Sequence, residues 1–220
     1  SIKWIPEYGF LTGFGYSVFH AISAFCNAGF STIETNLVNY VGSIPINLGI
    51  TTLIIIGGIG YIVIVDIYSY RKTKRLLLHT KVALFTTFWL IVLGTGLIYM
   101  LEYKNPATLG MLPLKGKILS AYFQAVTPRT AGFNTLDISV LTSPALILII
   151  GLMFIGASPS GTGGGIKTTT FAALFAAMKE TLKGKKDVVI FKRVIPSEIV
   201  QKAFILTLLS FVFVSVMHYI

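Results

Sequence analysis

The chain has 220 residues, 54% of them hydrophobic and only 12% charged, with a net charge of +10. Soluble domains carry about 25% charged residues, so the composition excludes an ordinary soluble domain and points to an all-α integral membrane protein. The one cysteine, Cys26, excludes an internal disulfide. Nor does the charge describe a nucleic-acid binder, because its placement is that of a topology signal. Five positive residues fall at 69–81 (Arg71, Lys72, Lys74, Arg75, Lys81) and seven at 179–202 (Lys179, Lys183, Lys185, Lys186, Lys192, Arg193, Lys202). The positive-inside bias places both stretches in the cytoplasm, where they are also suited to dock a cytosolic partner or anionic lipid.

Residues 1–12 read as a connector or the end of an earlier helix. No basic segment followed by an apolar run marks a signal peptide there. The start lacks Met and the last apolar run continues to Ile220, so a piece of a longer protein is expected. Residues 13–25 are apolar but reach only about 20 Å as a helix, too short for a hydrocarbon core of about 30 Å. They suit a re-entrant helix whose C-terminal end favours a cation at mid-membrane. The polar stretch CNAGFSTIE, residues 26–34, follows at once.

Residues 45–68 form the first full span, with Asp66 interfacial near its inner end and Gly57-Gly58-Ile59-Gly60 as a small-residue patch for close helix approach. Residues 82–101 return. A polar connector, 102–117, carries Pro106 and Pro113 and leads to a second short apolar segment, 118–126. The polar stretch TPRTAGFNTLD, 127–137, follows that segment as CNAGFSTIE follows the first. A span then starts at Pro144, is interrupted by GASPSGTGGG at 156–165, and resumes from Ile166 to Met178. Residues 203–220 begin a last span. In this order both basic stretches fall on the same side.

The chain repeats internally. Phe19-His20-Ala21 matches Phe123-Gln124-Ala125, AGFST matches AGFNT, and Pro45 matches Pro144. Gly57 pairs with Gly156 but Gly58 with Gly165, so the second copy carries eight extra residues. The helical parts on either side already cross the bilayer, roughly 37 Å of helix. The insertion therefore adds no depth and bulges sideways near mid-membrane, which backbone tolerates only in protein or a wet cavity.

Paired AGF loops behind short helices, and an inner span broken by GASPSGTGGGIKTTT, resemble the Trk/Ktr/HKT superfamily of potassium transporters. Within it, the membrane subunit of bacterial Ktr-type uptake systems is most similar. The resemblance covers nearly the whole chain. It implies repeated outer helix, re-entrant pore loop and inner helix units around a central pore, and potassium uptake across the cell membrane. By that comparison residues 1–69 are the pore helix, filter loop and inner helix of one repeat, and 82–178 the complete next repeat. Residues 203–220 begin a third, with cytoplasmic loops at 70–81 and 179–202.

The resemblance further implies a filter of backbone carbonyls with one essential glycine per repeat. Asn27, Ala28 and Gly29 of one loop and Thr130, Ala131 and Gly132 of the other are the coordinating candidates. Carbonyl oxygens replace the hydration shell of the ion there. Arg129 is expected behind the loop, paired or bonded to carbonyls. Glu34 and Asp137 occupy matching places beyond the filter, either attracting cations or capping the next helix. The broken span is the expected gate: Gly156, Ser158, Ser160, Gly161, Thr162, Gly163, Gly164, Gly165 and Lys167. Lys167, costly at membrane depth, is expected to face water or a partner. Potassium is the transported ion and no other metal or cofactor is expected. The lipid bilayer, a second copy in a homodimer and a cytosolic nucleotide-binding regulatory ring are the implied partners, with no nucleic acid.

Two other readings compete. GTGGGIKT, Gly161 to Thr168, approaches a phosphate-binding loop, but Ile166 stands where its second glycine is needed and no strand pattern precedes it. A secondary cation carrier with alternating access also uses broken helices at midplane sites. No catalytic constellation appears, since His20, His79 and His218 are scattered.

Overall fold

The computed structural model describes residues 3–185 and 187–218. Ser1, Ile2, Lys186, Tyr219 and Ile220, which the readings above include in the connector, the second basic stretch and the last span, lie outside the described residues. The architecture is helical, with the membrane-length helices expected of an integral membrane protein. Helix α1 (Trp4–Tyr8) turns at Gly9 into α2 (Phe10–Phe25), and the first inner span is α3 (Ile44–Ile59) followed by α4 (Tyr61–Thr73). The second unit consists of α5 (Leu78–Glu102), α6 (Leu114–Val126), α7 (Ser143–Phe154) and α8 (Thr168–Leu182). A hairpin, β1 (Val188–Ile190) and β2 (Arg193–Ile195), connects it to α9 (Ser197–His218). Helices α5 and α9 are long and apolar enough to cross a membrane, and α3 with α4 makes a third span if the two are counted as one.

Several boundaries differ from the hydropathy reading, each for a local reason. The connector 1–12 is largely helical: α1 folds against α2, and a Cβ on Gly13 would overlap the Trp4 carbonyl. Helix α2 therefore begins at Phe10. Helix α6 begins at Leu114 rather than 118, with Pro113 as its N-cap residue. Lys115 and Lys117 hide that start from hydropathy, yet Lys117 lies over the Tyr103 ring at 4.2 Å and its apolar stem covers the surface. The break between helices read at 70–81 is shorter than that range. Helix α4 runs to Thr73 and the Leu77 amide donates to Asp66 Oδ2 at 2.9 Å, which caps the start of α5.

The largest departure lies in 45–68. The span is not straight: α3 and α4 meet at 91°. Gly60 sits between them at φ +91°, outside helical conformation. Continuous hydropathy hides the bend, because both arms are apolar.

A polar hub and an apolar core fix the remaining geometry. Glu102, buried at the end of α5, accepts hydrogen bonds from the Thr142 amide (2.8 Å) and hydroxyl (2.6 Å) and from Asn105 and Thr108. It therefore ties the C-terminal end of α5 to the start of α7. The core between the two units holds Ala24, Leu37, Ile54, Phe123, Val126 and Phe133, all at most 2% exposed. Helix α6 packs on both α5 and α3, and this places the two polar loops side by side.

Candidate ion pathway

The two AGF loops have the same backbone conformation. Left-handed φ recurs at alternate residues in both, at Asn27 (+52°) and Gly29 (+74°), and at Thr130 (+71°) and Gly132 (+78°). Asn tolerates this region and glycine enters it freely, whereas threonine is strained there. The loops meet at their glycines. A Cβ on Gly29 would overlap the Ala131 carbonyl, and one on Gly132 would stand 3.3 Å from Gly29 Cα. No other residue type allows that approach at Gly29. Beyond the glycines the loops are bonded to each other: the Leu37 amide donates to Asn134 O (3.0 Å) and the Asn134 amide to Asn36 Oδ1 (3.2 Å).

A matched pair of hydroxyls, which the sequence reading missed, holds each loop. Ser23 Oγ donates to Phe30 O at 2.9 Å, and Thr127 Oγ1 donates to Phe133 O at 2.6 Å. These residues occupy equivalent places in the sequence repeat, one in each short helix or at its end, and each ties the phenylalanine carbonyl of its AGF triplet back to that helix. Their hydroxyls at matching repeat positions were the available signal. His20 braces the first loop in addition. Fully buried, it contacts Tyr16 O through Nδ1 (2.7 Å) and Ser31 Oγ through Nε2 (3.0 Å).

The other expected loop residues fare differently. Arg129 is buried, but among the described residues its guanidinium makes no hydrogen bond or ion pair. The expected bonding to carbonyls is not found among the described residues, and its Nε is buried without a partner. Asp137 caps a short 3₁₀ turn, Ile138–Val140, by accepting from the Ser139 amide (2.9 Å) and hydroxyl (2.7 Å), bonds that hold its carboxyl below the usual range. Glu34 is exposed. The two acids therefore differ despite their matching positions.

The interruption at 156–165 is an excursion that returns to its own start. Ile155 and Ile166 pair in parallel, with the Gly156 amide on Ile166 O (3.0 Å), Ala157 on Gly164 O (3.1 Å) and Thr168 on Ala157 O (3.2 Å). Parallel pairing means the chain leaves α7 and enters α8 side by side, heading the same way, so the insertion adds little depth. Glycine is required where the strands touch: a Cβ on Gly156 would overlap the Gly164 carbonyl. Ser158 and Thr168 bond through their hydroxyls at 2.8 Å. Lys167 is half-buried, and its ammonium donates to Gly163 O at 2.8 Å, so its charge is held within the loop rather than turned to a partner.

This excursion docks on the other unit. The Ser158 amide donates to Gly58 O (2.8 Å), the Thr162 amide to Gly57 O (3.1 Å) and the Tyr61 amide to Ser160 O (3.3 Å). Thr162 Oγ1 donates to Phe25 O, the last carbonyl of α2, at 2.9 Å. The Gly57–Gly60 patch allows the close helix approach read above at Gly57, where a Cβ would overlap the Phe25 carbonyl at the end of α2. It receives the loop backbone, and a Cβ on Gly60 would stand 2.5 Å from Pro159 O. At Gly163 the excursion reaches the AGF loops: a Cβ there would overlap Thr130 Oγ1 and stand 3.1 Å from Asn27 Nδ2. Beside this contact lies a cavity of about 320 Å³, lined by Ala28, Thr130 and Gly132 of the two loops and by Ile149 and Met153 of α7.

The geometry brings together the AGF loops and the excursion, and among the described residues neither the Glu34 nor the Asp137 carboxylate bonds to them. It also argues against a nucleotide loop, because helix α7, not a strand, precedes Gly156–Lys167 and Lys167 is engaged with its own loop.

Residues 3–220 match the family model described as TrkH, cation transport protein. Ktr system potassium uptake protein B of Bacillus subtilis is 46% identical over 96% of this chain and 47% of its own length. The protein of the same name from Vibrio alginolyticus is 42% identical over 96% and 47%. The chain thus spans about half the length of these relatives. The crystal structure of the potassium transporter TrkH from Vibrio parahaemolyticus superposes with a TM-score of 0.68 at 18% identity, over 86% of this chain and 41% of that one, which shows the shared fold. With the family model matched almost end to end, the chain belongs to the TrkH family of cation transport proteins.

Proposed function

We propose that this chain is part of a membrane subunit that takes up potassium through a channel-like pore. The carrying observation is the glycine-to-glycine meeting of two loops with the same left-handed pattern. Carbonyls of Asn27, Ala28, Gly29, Thr130, Ala131 and Gly132 replace the ion's hydration shell, and Ser23 and Thr127 hold that shape. Arg129 supports the filter from behind, together with residues outside this chain. The excursion 156–167 is the gate, seated against Thr130 and Asn27. The repeats divide as 1–69 and 82–178, with 203–220 opening the next and basic loops 70–81 and 179–202 in the cytoplasm. The relatives named as Ktr system proteins support potassium as the ion and a multi-component system. In it, this subunit pairs with a second copy and a cytosolic nucleotide-binding ring moves the gate.

One observation favours a second reading, a carrier with alternating access: both inner spans are broken, as carrier helices are around midplane sites. Unitary flux far above carrier turnover decides for the pore.

The test is rubidium uptake by potassium-starved cells expressing the full-length protein or its Gly132→Ser variant. Uptake lost or made sodium-permissive in a normally inserted variant is the expected result. Unchanged uptake and selectivity would make the AGF loops structural turns.

A further inference from the structure

A second cavity, of about 550 Å³, lies between α5 and α8, away from the loops. Its walls are apolar and largely aromatic: Phe85, Trp89 and Leu93 from α5, and Phe171 and Phe175 from α8. The hairpin after α8 closes one end, where Phe191 meets Phe85 edge-on at 5.7 Å between centroids. The rings of Trp89 and Phe175 remain exposed, so the cavity is a groove open along its side.

The charge is confined to the hairpin end. Lys179 and Glu180 line the groove there. Both carboxylate oxygens of Glu180 are engaged, by Lys183 at 3.8 Å and Lys185 at 3.1 Å. Lys179 has no ion-pair partner among the described residues. Lys192 and Arg193 follow Phe191 directly, with the turn closed by left-handed φ at Phe191 and Lys192. Lys179 lines this end of an otherwise apolar slot, Lys183 and Lys185 already offset Glu180, and Lys192 and Arg193 follow the lining residue Phe191 in the chain. This is the end that the positive-inside bias places in the cytoplasm.

We propose that the groove binds an anionic phospholipid of the inner leaflet, with an acyl chain along α5 and α8 and the headgroup phosphate between Lys179 and the Lys192–Arg193 turn. The charge chooses the occupant. A basic pocket between membrane helices at the cytoplasmic surface recognises a negative headgroup, and the apolar length beyond it offers nothing to a polar ligand. A zwitterionic lipid gains nothing from the charge excess. Helix α9 packs on α8 without lining the groove, so the connection to the next span leaves the slot open.

The site is tested on the full-length protein in phosphatidylcholine vesicles carrying a minor fraction of either dibromo-phosphatidylglycerol or dibromo-phosphatidylcholine. Bromine quenches nearby indole, and the difference between wild type and Trp89→Phe isolates Trp89. Quenching of Trp89 is expected to be about fivefold or more in favour of the anionic lipid, the scale of one or two basic contacts. That preference is expected to disappear in Lys179→Ala/Lys192→Ala. Equal quenching by both lipids would mean unselective annular lipid and overturn the proposal. No quenching by either would mean that protein covers the groove, and would overturn it too. If the double variant does not insert, the wild-type preference alone decides.

Discussion

The first inner span breaks at a single residue, Gly60, whereas its repeat partner breaks over an inserted excursion. The first break is a 91° bend; the second returns to its start through a parallel pair at Ile155 and Ile166. Each would leave backbone groups unpaired at membrane depth, at a cost of several kcal/mol per group. The difference between them resolves that cost. Carbonyls at Gly57 and Gly58, freed where α3 ends, accept from Thr162 and Ser158, and the first amide of α4, Tyr61, donates to Ser160. The two broken spans complete each other, so neither can move without the other losing hydrogen bonds. This makes the pair a candidate two-state element, which the gating proposed above requires.

Replacing Gly60 with Val breaks the arrangement hardest. It sets a β-branched residue at φ +91° and pushes a Cβ to 2.5 Å from Pro159 O. With strain of about 1–3 kcal/mol from φ alone and the clash added, rubidium uptake is expected to fall by about tenfold or more. Uptake per inserted molecule measures it. Thr162→Val is milder and more informative. It removes the hydroxyl from Phe25 O while keeping the backbone bonds. Losing one hydrogen bond of about 1 kcal/mol is expected to raise flux about fivefold in cells lacking the cytosolic partner, because the excursion then leaves the AGF loops more readily. The smallest effects come from the matched hydroxyls. Thr127→Val and Ser23→Ala each strip a donor from a phenylalanine carbonyl. Thr127 is the shorter and more buried bond, so its loss is expected to reduce potassium-over-sodium selectivity more, by about threefold to tenfold against about twofold for Ser23. Bi-ionic flux assays rank the two.

Much of this was legible in the residues. Composition identified the membrane class, and the eight-residue offset after Gly57 located the excursion that returns to its own start. The bend at Gly60 was not legible, because its cause lies a hundred residues away in the chain: the same glycines serve a helix contact or a docked loop equally well, and only the partner decides. Lys115 and Lys117 hid a helical turn because hydropathy counts their charge and not their stems. Arg129 was read as bonded behind the loop, whereas among the described residues its guanidinium is buried without a partner. Glu34 and Asp137 looked equivalent until Ser139 supplied donors to only one of them.

Hydrogen–deuterium exchange on the full-length protein in nanodiscs tests the coupling of the two breaks most directly. Peptides carrying the amides of Tyr61, Ser158 and Thr162 report each side of the junction. The account predicts that all three are protected in the resting protein and lose protection together in Thr162→Val, at one common rate. Protection lost at the excursion while Tyr61 keeps its own, or no protection at either side, would contradict it.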